Sequence, residues 1–375
     1  VTAPTYRNAA EVFARADNLL SEMSEQVDRD DPEEPRRIET VDGQIRFQKP
    51  SKAGTLSGDP DRVIVDEAAA LPVRVLEQFL AAPGVVYATT IHGYEGAGRG
   101  FSVRFRDRLE GSDHEVTDVH LDEPIRYAPG DPVEVWAFRA LCLDARPPVD
   151  PLVAGATPET ATYRRIEAAD LLADEHLLRE AFGLLVVAHY RTEPNDLARL
   201  LDAPNVEARA LVHDGHVVSV ALLAREGNLP GEWRRRMYEG ERIPGNMLPD
   251  VLTAQLRDER AGRTVGYRVL RIATHHAVRS RGLGSHLLER IRSDVDDEVD
   301  WLGVGYGATP DLLDFWRANG FHTVHLSTTR NDASGAHSAI VLDPLSPAGS
   351  DLLDRHTSWL RDRVGGTLPD PLPGL

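Results

Sequence analysis

The chain has 375 residues, which is too long for one compact domain and comfortable for two. Apolar residues make up 41% of it, no run approaches the roughly 20 apolar residues of a membrane-spanning helix, and no charged and apolar leader opens the chain. We therefore expect a soluble, cytoplasmic protein without a membrane partner. A single cysteine, Cys142, argues against a disulfide framework and against a cysteine-based zinc site.

The charge is acidic overall but unevenly distributed. The 42 basic and 60 acidic residues give a formal net charge of −18, which by itself argues against a nucleic-acid partner. Between Arg225 and Arg292, however, 14 arginines outnumber 8 acidic residues, so an anion can dock on this stretch. Only two basic residues are lysines, and guanidinium groups suit bidentate phosphate contacts. For the global charge we favour adaptation to a salty cytoplasm over a specific cationic partner.

The first half of the chain is predicted to contain a parallel sheet. Residues 1–4 have the pattern of the end of a strand, which suggests that the chain is a fragment, and a helix is expected over 6–20. The acidic segment 24–60 is expected to be a surface loop or a solvated insertion. A strand over 63–65, a helix over 72–80 and a strand over 85–90 follow in close succession, which favours parallel pairing.

The Pro-rich segment 146–151 predicts a domain boundary, with one domain over 1–150, a second over 151–345 and a helical tail over 346–375. In the second domain we expect helices over 168–190, 284–295 and 311–318, and strands over 208–212, 216–224, 269–274 and 301–305. Asp214-Gly215 predicts a tight hairpin turn, and Asn319-Gly320 suits a left-handed helix end. The predicted fold class is α/β.

The most specific local motif lies between the predicted strand 270–274 and a helix, and reads Arg279-Ser280-Arg281-Gly282-Leu283-Gly284-Ser285. Glycines in such a turn let backbone N–H groups approach a pyrophosphate, and the helix N-terminus adds a favourable dipole. The spacing resembles the Arg/Gln-x-x-Gly-x-Gly/Ala signature of the GNAT acetyltransferases, in which this loop holds the pyrophosphate of acetyl-CoA. The alternative is an ordinary turn with exposed arginines.

Two motifs in the first domain suggest nucleotide chemistry. Asp66-Glu67 follow an apolar strand, as in a Walker B element, where Asp66 would hold Mg²⁺ through water and Glu67 would orient the attacking water. The alternative is a strand followed by acidic residues at a helix N-terminus. The glycine-rich segment 89–101 carries Arg99, which would reach a nucleotide phosphate, or it is a surface hairpin. A Gly-x-x-x-x-Gly-Lys phosphate loop is absent from the sequence.

Together these motifs resemble the tRNA(Met) cytidine acetyltransferase family, in which a RecA-like ATPase is fused to a GNAT acetyltransferase. The resemblance rests on segments in the same order, namely 1–4, 65–70, 91–101, 189–191 with 194–204, 270–274, and 307–310 leading to 315–316. It implies an N-terminally incomplete RecA-like P-loop module with a parallel sheet, then a GNAT module with a mixed sheet. The Walker A lysine is expected to lie upstream of Val1, and the source to be a halophilic archaeon.

The resemblance also implies an activity, namely transfer of acetyl from acetyl-CoA to N4 of a cytidine in tRNA, typically the wobble cytidine of elongator tRNA(Met). ATP hydrolysis with Mg²⁺ assists, although the ATP site is incomplete in this chain. Beside the motif 279–285, acetyl-CoA contacts are expected at Ile272, Ala273, Thr274, Asp311 and Arg317. We expect a monomer.

Cytosine N4 is a weak nucleophile because its lone pair is delocalised, so a general base must remove a proton as the bond forms. His189 is the candidate base and Tyr190 would orient or stack on the cytosine; otherwise His189 is a buried histidine at a helix end. The run Arg234-Arg235-Arg236 would hold tRNA phosphates or is a solvated face. The rival functions are a protein or small-molecule N-acetyltransferase, and an RNA-remodelling ATPase with a non-catalytic acetyltransferase module.

Overall fold

A computed structural model describes residues 1–23, 26–90, 105–121, 123, 125, 127–188, 194–330 and 337–367. The chain divides into two compact units, the first ending at Asp144 and the second beginning at Ala145. Across the described ranges, no helix is both long and apolar enough to cross a membrane.

The first unit is built around a small parallel sheet. Its helices are α1 (Tyr6–Glu22), α2 (Pro50–Ala53), α3 (Val73–Phe79), α4 (Arg106–Glu110) and α5 (Pro132–Ala140), and its strands are β1 (Asp28–Arg29), β2 (Arg37–Glu39), β3 (Gln44–Arg46), β4 (Val63–Val65) and β5 (Val85–Tyr87). Strand β4 pairs in parallel with β5, and on its other side Thr2 forms a parallel bridge with Val65. The predicted parallel arrangement is confirmed, although the last strand ends at Tyr87.

The acidic segment 24–60 contains more structure than its composition suggests. Strands β1, β2 and β3 form a small antiparallel sheet within it. Asp30 Oδ1 accepts hydrogen bonds of 2.8 Å from the backbone N–H groups of Arg36 and Arg37, and Asp31 caps the N–H groups of Glu33 and Glu34 in the same way. These backbone hydrogen bonds lower the pKa of both aspartates. The acidic side chains therefore fold the turns of this segment.

The second unit is a mixed sheet covered by helices. Its helices are α6 (Asp150–Val153), α7 (Ala168–Ala173), α8 (Glu175–Ala188), α9 (Pro194–Asp202), α10 (Gly231–Tyr238), α11 (Met247–Asp250), α12 (Leu283–Asp294), α13 (Pro310–Ala318) and α14 (Pro347–Thr367). Its strands are β6 (Thr162–Ile166), β7 (Val206–His213), β8 (His216–Gly227), β9 (Val265–Thr274), β10 (Trp301–Gly307), β11 (His322–Arg330) and β12 (His337–Pro344).

The seven strands follow the order β11-β12-β10-β9-β8-β7-β6. Among the described strands of this sheet only β9 and β10 pair in parallel, so the expected mixed sheet is confirmed. The predicted hairpin turn between β7 and β8 is also confirmed, because Asp214 and Gly215 have φ values of 48° and 84°. Leu287, Leu288 and Ile291 of α12 are fully buried in the core that covers one part of this sheet.

The helix predicted over 168–190 is interrupted at Asp174. This residue has an extended backbone, and its Oδ1 accepts a hydrogen bond of 3.0 Å from the N–H of Leu177, so it caps the N-terminus of α8. Apolar periodicity continues through the break, which is why the pattern alone did not reveal two helices.

Helix α14 is an integral part of the second unit. Leu352 and Leu353 lie in a buried cluster with Val324 and Leu342 of the sheet. Its next turn contacts Asp258, whose Oδ2 accepts a 2.8 Å hydrogen bond from Arg355 and lies 3.1 Å from His356 Nε2. Burial by itself would raise the pKa of Asp258, but these two partners outweigh it and hold that pKa well below its usual range.

Candidate functional site

The two parallel strands of the second unit separate along their length. Strands β9 and β10 pair only from Trp301 opposite Gly266 to Gly303 opposite Arg268, although both continue beyond that point. The pairing of β8 with β9 skips Leu270, since Leu223 lies opposite Val269 and Leu222 opposite Arg271. Such a bulge bends a strand. The carboxyl ends of β9 and β10 therefore leave a wedge between them in the sheet.

The turn after β9 presents backbone donors at the end of this wedge. Ser280 and Gly282 have left-handed φ values of 58° and 84°, and α12 starts directly afterwards. The first bond inside α12 is donated by His286 N to Gly282 O at 2.8 Å. The N–H groups of Leu283, Gly284 and Ser285 thus precede the hydrogen-bonded part of the helix, where the dipole favours an anion. This arrangement fits the pyrophosphate loop predicted from the sequence.

The two arginines of the motif anchor the turn. Arg279 Nε donates to Thr274 O at 3.3 Å, and Arg281 Nη1 donates to Ala154 O at 2.6 Å. Each of these bonds uses one of the five N–H groups of an exposed guanidinium. Both side chains can therefore hold the backbone of the turn and still donate to an anion.

His275 is a neutral imidazole that fixes the start of this turn. It is buried, and its Nδ1 accepts from the N–H of Ala277 at 3.3 Å, which assigns the proton to Nε2, 2.7 Å from Pro148 O. Burial lowers the pKa of this imidazole, which also favours the neutral form. The histidine is therefore a structural anchor of the turn.

Three residues that are predicted to contact acetyl-CoA form the carboxyl end of β9. Ala273 is buried, Ile272 packs against the core of the second unit, and Thr274 Oγ1 lies 3.0 Å from Ser219 Oγ of β8. These contacts hold the end of β9 against β8. A substituent on Gly284 would meet Thr274 Oγ1 at 3.5 Å, so the strand end and the helix start are close together.

Helix α13 contributes Phe315 to this region. The Phe315 ring would lie 3.6 Å from a Cβ at Gly284, and Trp316 beside it is buried in the core. Arg317 is exposed and donates to Asp314 at 2.8 Å, and Asp311 is exposed in the first turn. The structure thus brings Phe315 to the turn at residues 279–285, for which we use the name phosphate turn after its predicted role; contacts of Asp311 and Arg317 with acetyl-CoA stay a prediction.

Tyr306 is a polar group that the sequence pattern did not identify. It lies on β10 beyond the last residue paired with β9, and its hydroxyl is buried without a hydrogen-bond partner among the described residues. Burial raises its pKa to about 12. An unsatisfied buried hydroxyl costs about 1–3 kcal/mol, so a ligand that bonds to it in the wedge would recover that cost.

The position of α12 is secured by a second feature that was missed, the fully buried Arg209 of β7. Its Nε donates to Asp294 Oδ2 at 3.0 Å, at the end of α12, and its Nη2 donates to Glu207 Oε2 at 2.6 Å. Similarly, Arg271 of β9 bonds to Asp196 of α9 at 2.7 Å. Both ion pairs join residues far apart in sequence, so local patterns could not indicate them.

In the first unit, Asp66 and Glu67 follow β4 as predicted. Asp66 N donates to Thr2 O at 2.9 Å, and Asp66 Oδ1 accepts from Glu67 N at 3.0 Å. Glu67 adopts a left-handed backbone with φ of 49°, which is costly for a non-glycine residue and is typical of functional turns. The pair therefore lies at the carboxyl edge of a parallel sheet, where nucleotide-binding carboxylates occur.

The candidates His189, Tyr190 and Arg99 lie outside the described residues. Of the arginine run on α10, Arg236 forms an ion pair with Glu241, and Arg234 is half-buried beside Gly262. Arg235 is exposed, and no ion pair is found for it within the part of the chain that the structure describes. The local surplus of arginine therefore overstates the charge that an anion could use.

Comparison with known proteins finds a matching family for each of the two units. Residues 1–144 match the family described as RNA cytidine acetyltransferase NAT10/TcmA, helicase domain, and residues 180–295 and 286–346 match GNAT acetyltransferase 2. The tRNA(Met) cytidine acetyltransferase TmcA of Haloferax volcanii is 65% identical over 375 residues, which are 100% of this chain and 50% of the relative. Along its whole length the chain is similar to the tRNA(Met) cytidine acetyltransferases. The resemblance seen in its motifs is confirmed.

The chain spans about half the length of the curated relatives of this family that it matches. TmcA of Haloarcula marismortui is 64% identical over 99% of this chain and 48% of the relative. Both relatives are from halophilic archaea, in line with the acidic, lysine-poor composition. Among solved structures, the ribosomal-protein-S18-alanine N-acetyltransferase from Escherichia coli is similar over 50% of this chain and 94% of its own chain. The sequence identity is 15% and the TM-score is 0.33.

Proposed function

We propose that this chain carries the acetyl-CoA site of an RNA cytidine N4-acetyltransferase, which transfers acetyl to a cytidine of tRNA, typically the wobble cytidine of elongator tRNA(Met). The observation that carries the proposal is the wedge between β9 and β10 with the N–H groups of α12 at its end. The named activity of the relatives supports the choice of acceptor. We place the enzyme in the cytoplasm and expect a monomer.

In this proposal the diphosphate of acetyl-CoA binds the N–H groups of Leu283, Gly284 and Ser285, assisted by Arg279 and Arg281. The thioester then lies along the wedge, where backbone groups of β9 that are not used by β10 can bond to the cofactor. Asp311 and Arg317 would border its thiol end. Cytosine N4 attacks the thioester carbonyl, the N4–C bond forms, and the thiolate of CoA leaves.

We propose His189 as the base that takes the N4 proton, and Tyr190 as the residue that orients the cytosine. Helix α8 ends at Ala188, directly before both in the sequence. A positioned base contributes about 10²–10⁴-fold to rate. His189→Ala is expected to retain acetyl-CoA binding in calorimetry while turnover falls at least about tenfold. Unchanged turnover would remove His189 from the mechanism.

We propose that the first unit couples ATP to this reaction. Asp66 would hold Mg²⁺ through water, Glu67 would orient the attacking water, and Arg99 would contact a phosphate. The strained turn at Glu67 and its place at the end of β4 support this assignment. The match of residues 1–144 to the helicase domain family is consistent with it.

We propose that α10 contacts tRNA. Trp233 is 44% exposed and Arg235 is exposed on the same helix, and aromatic rings and guanidinium groups suit stacking on bases and contacts to phosphate. Of the three arginines, Arg235 has the best position for a phosphate, since Arg236 already bonds to Glu241.

The test is direct. A protein of the relatives' full length that contains this chain is incubated with labelled acetyl-CoA, ATP and bulk tRNA, and the tRNA is digested to nucleosides. Label in N4-acetylcytidine supports the proposal. Label in proteins or free amines instead would identify an ordinary N-acetyltransferase, and ATP-dependent RNA remodelling without acetyl-CoA binding would identify a remodelling ATPase.

A further inference from the structure

Two histidines and a glutamate form a compact group where α8 meets the start of β8. His176 Nε2 lies 3.1 Å from Glu180 Oε1, and His216 Nδ1 lies 2.8 Å from the same oxygen. His176 and Glu180 are one turn apart on α8, while His216 is the first residue of β8. The three atoms that can act as ligands lie within 4.8 Å of one another.

The carboxylate of this group is held in a fixed orientation. Glu180 is buried, and its Oε2 accepts a hydrogen bond of 3.0 Å from the N–H of Val217. Its other oxygen, Oε1, points at both imidazoles. Carboxylates that bind metals are commonly oriented by such an outer hydrogen bond. The side chain of His176 is 60% exposed, so the group can be reached from solvent.

We propose that His176, Glu180 and His216 bind a divalent transition-metal ion, with Zn²⁺ as the probe of choice and water as the fourth ligand. Imidazole and carboxylate are ligands that Zn²⁺ takes at about 2.0–2.2 Å, which places tetrahedral ligand atoms about 3.3 Å apart. The two imidazole nitrogens lie 3.1 and 2.8 Å from Glu180 Oε1 and within 4.8 Å of each other, so side-chain rotations that move these atoms by about an ångström would admit the ion.

A second group of the same kind serves as a contrast. Asp150, His275 and His276 also place ligand atoms within 4.8 Å of one another. Both ring nitrogens of His275 are already used, however, by Ala277 N and Pro148 O, and this bonding holds the phosphate turn. Binding a metal there would break the turn. In the group around Glu180, the bonds that an ion would replace are, among the described residues, those between its own three members.

The position of the group gives the ion a role. It would join α8, which ends directly before the proposed base, to β8, whose Val218 O accepts from His275 N at 2.9 Å at the start of the phosphate turn. A metal at this point would therefore stiffen the connection between the two parts of the proposed acetyl-transfer site.

The test uses the whole chain after treatment with a chelator. Calorimetric titration with Zn²⁺ is expected to give one equivalent bound with Kd below about 10 µM. Saturation should raise Tm by at least about 2 °C. Co²⁺ in its place should show the visible absorption of a four-coordinate ion.

The variants decide whether the binding belongs to this site. His176→Ala changes an exposed side chain and leaves the fold intact, and Glu180→Gln retains an acceptor for Val217 N; each should weaken Zn²⁺ binding at least about tenfold. His322→Ala, which changes an exposed histidine of β11, should bind Zn²⁺ like the parent chain. The highest assay concentration is 100 µM Zn²⁺, about ten times the expected Kd, and absence of binding there overturns the proposal. Equal Zn²⁺ binding by His176→Ala and His322→Ala also overturns it.

Discussion

Gly282 is the residue on which the phosphate turn depends most. Its φ of 84° is left-handed, and a Cβ there would meet Pro158 Cγ at 3.6 Å, an ordinary contact. The cost of Gly282→Ala is therefore conformational, about 1–2 kcal/mol. If the backbone rotates to relieve it, the N–H groups of Leu283, Gly284 and Ser285 turn away from the diphosphate. At about 0.3–1 kcal/mol for each contact, acetyl-CoA affinity should fall about 5- to 150-fold.

Gly215 provides a matched control. It has the same φ of 84° in the turn between β7 and β8, and a Cβ added there would meet nothing within 4 Å. Denaturant unfolding should show a similar loss of stability for Gly215→Ala and Gly282→Ala, while calorimetry should show weakened acetyl-CoA binding for Gly282→Ala alone. Equal acetyl-CoA affinity of the two variants would refute the assignment of the turn as the diphosphate site.

Three further substitutions test the electrostatic arguments. Arg235→Glu should weaken tRNA binding to a similar extent whatever the RNA sequence, because a phosphate contact does not read bases. The slope of log affinity against log salt concentration should become smaller by about one, and an unchanged slope contradicts the assignment. Asp258→Asn should reduce the free energy of unfolding by about 2–4 kcal/mol at neutral pH, against little change for the exposed Asp354→Asn. Because the pKa of Asp258 is held low, the stabilisation is present above about pH 4 and is lost as the pH falls further, so the difference between parent and variant should shrink there. Arg209→Met should cost about 3–5 kcal/mol in denaturant unfolding, since two carboxylates lose their buried partner; a loss below about 1 kcal/mol would contradict the role given to it.

Much of the fold could be predicted because local patterns and tertiary structure agree. The Asp214-Gly215 turn, the apolar strand β4 and the glycine motif before α12 each indicate a backbone conformation that their residues favour. The resemblance of the motifs to one family fixed the order of the two units. Asp174 was different, because a single capping aspartate divides a helix without disturbing its apolar period.

The contacts that complete the site could not be predicted in this way. Arg209 with Asp294, and Arg271 with Asp196, are separated by 85 and 75 residues, so only the tertiary structure brings them together. Arg236 shows the opposite limit, because composition suggests it for RNA binding while the structure pairs it with Glu241. Counting charges along the sequence does not show which of them are already neutralised.

The proposed function depends on where acetyl-CoA binds, and a crystal structure of the chain with this cofactor is the most direct measurement. We predict its diphosphate within hydrogen-bond distance of the N–H groups of Leu283, Gly284 and Ser285, with the thioester between β9 and β10. A cofactor bound at any other part of the second unit, with those amides left to solvent, would contradict it.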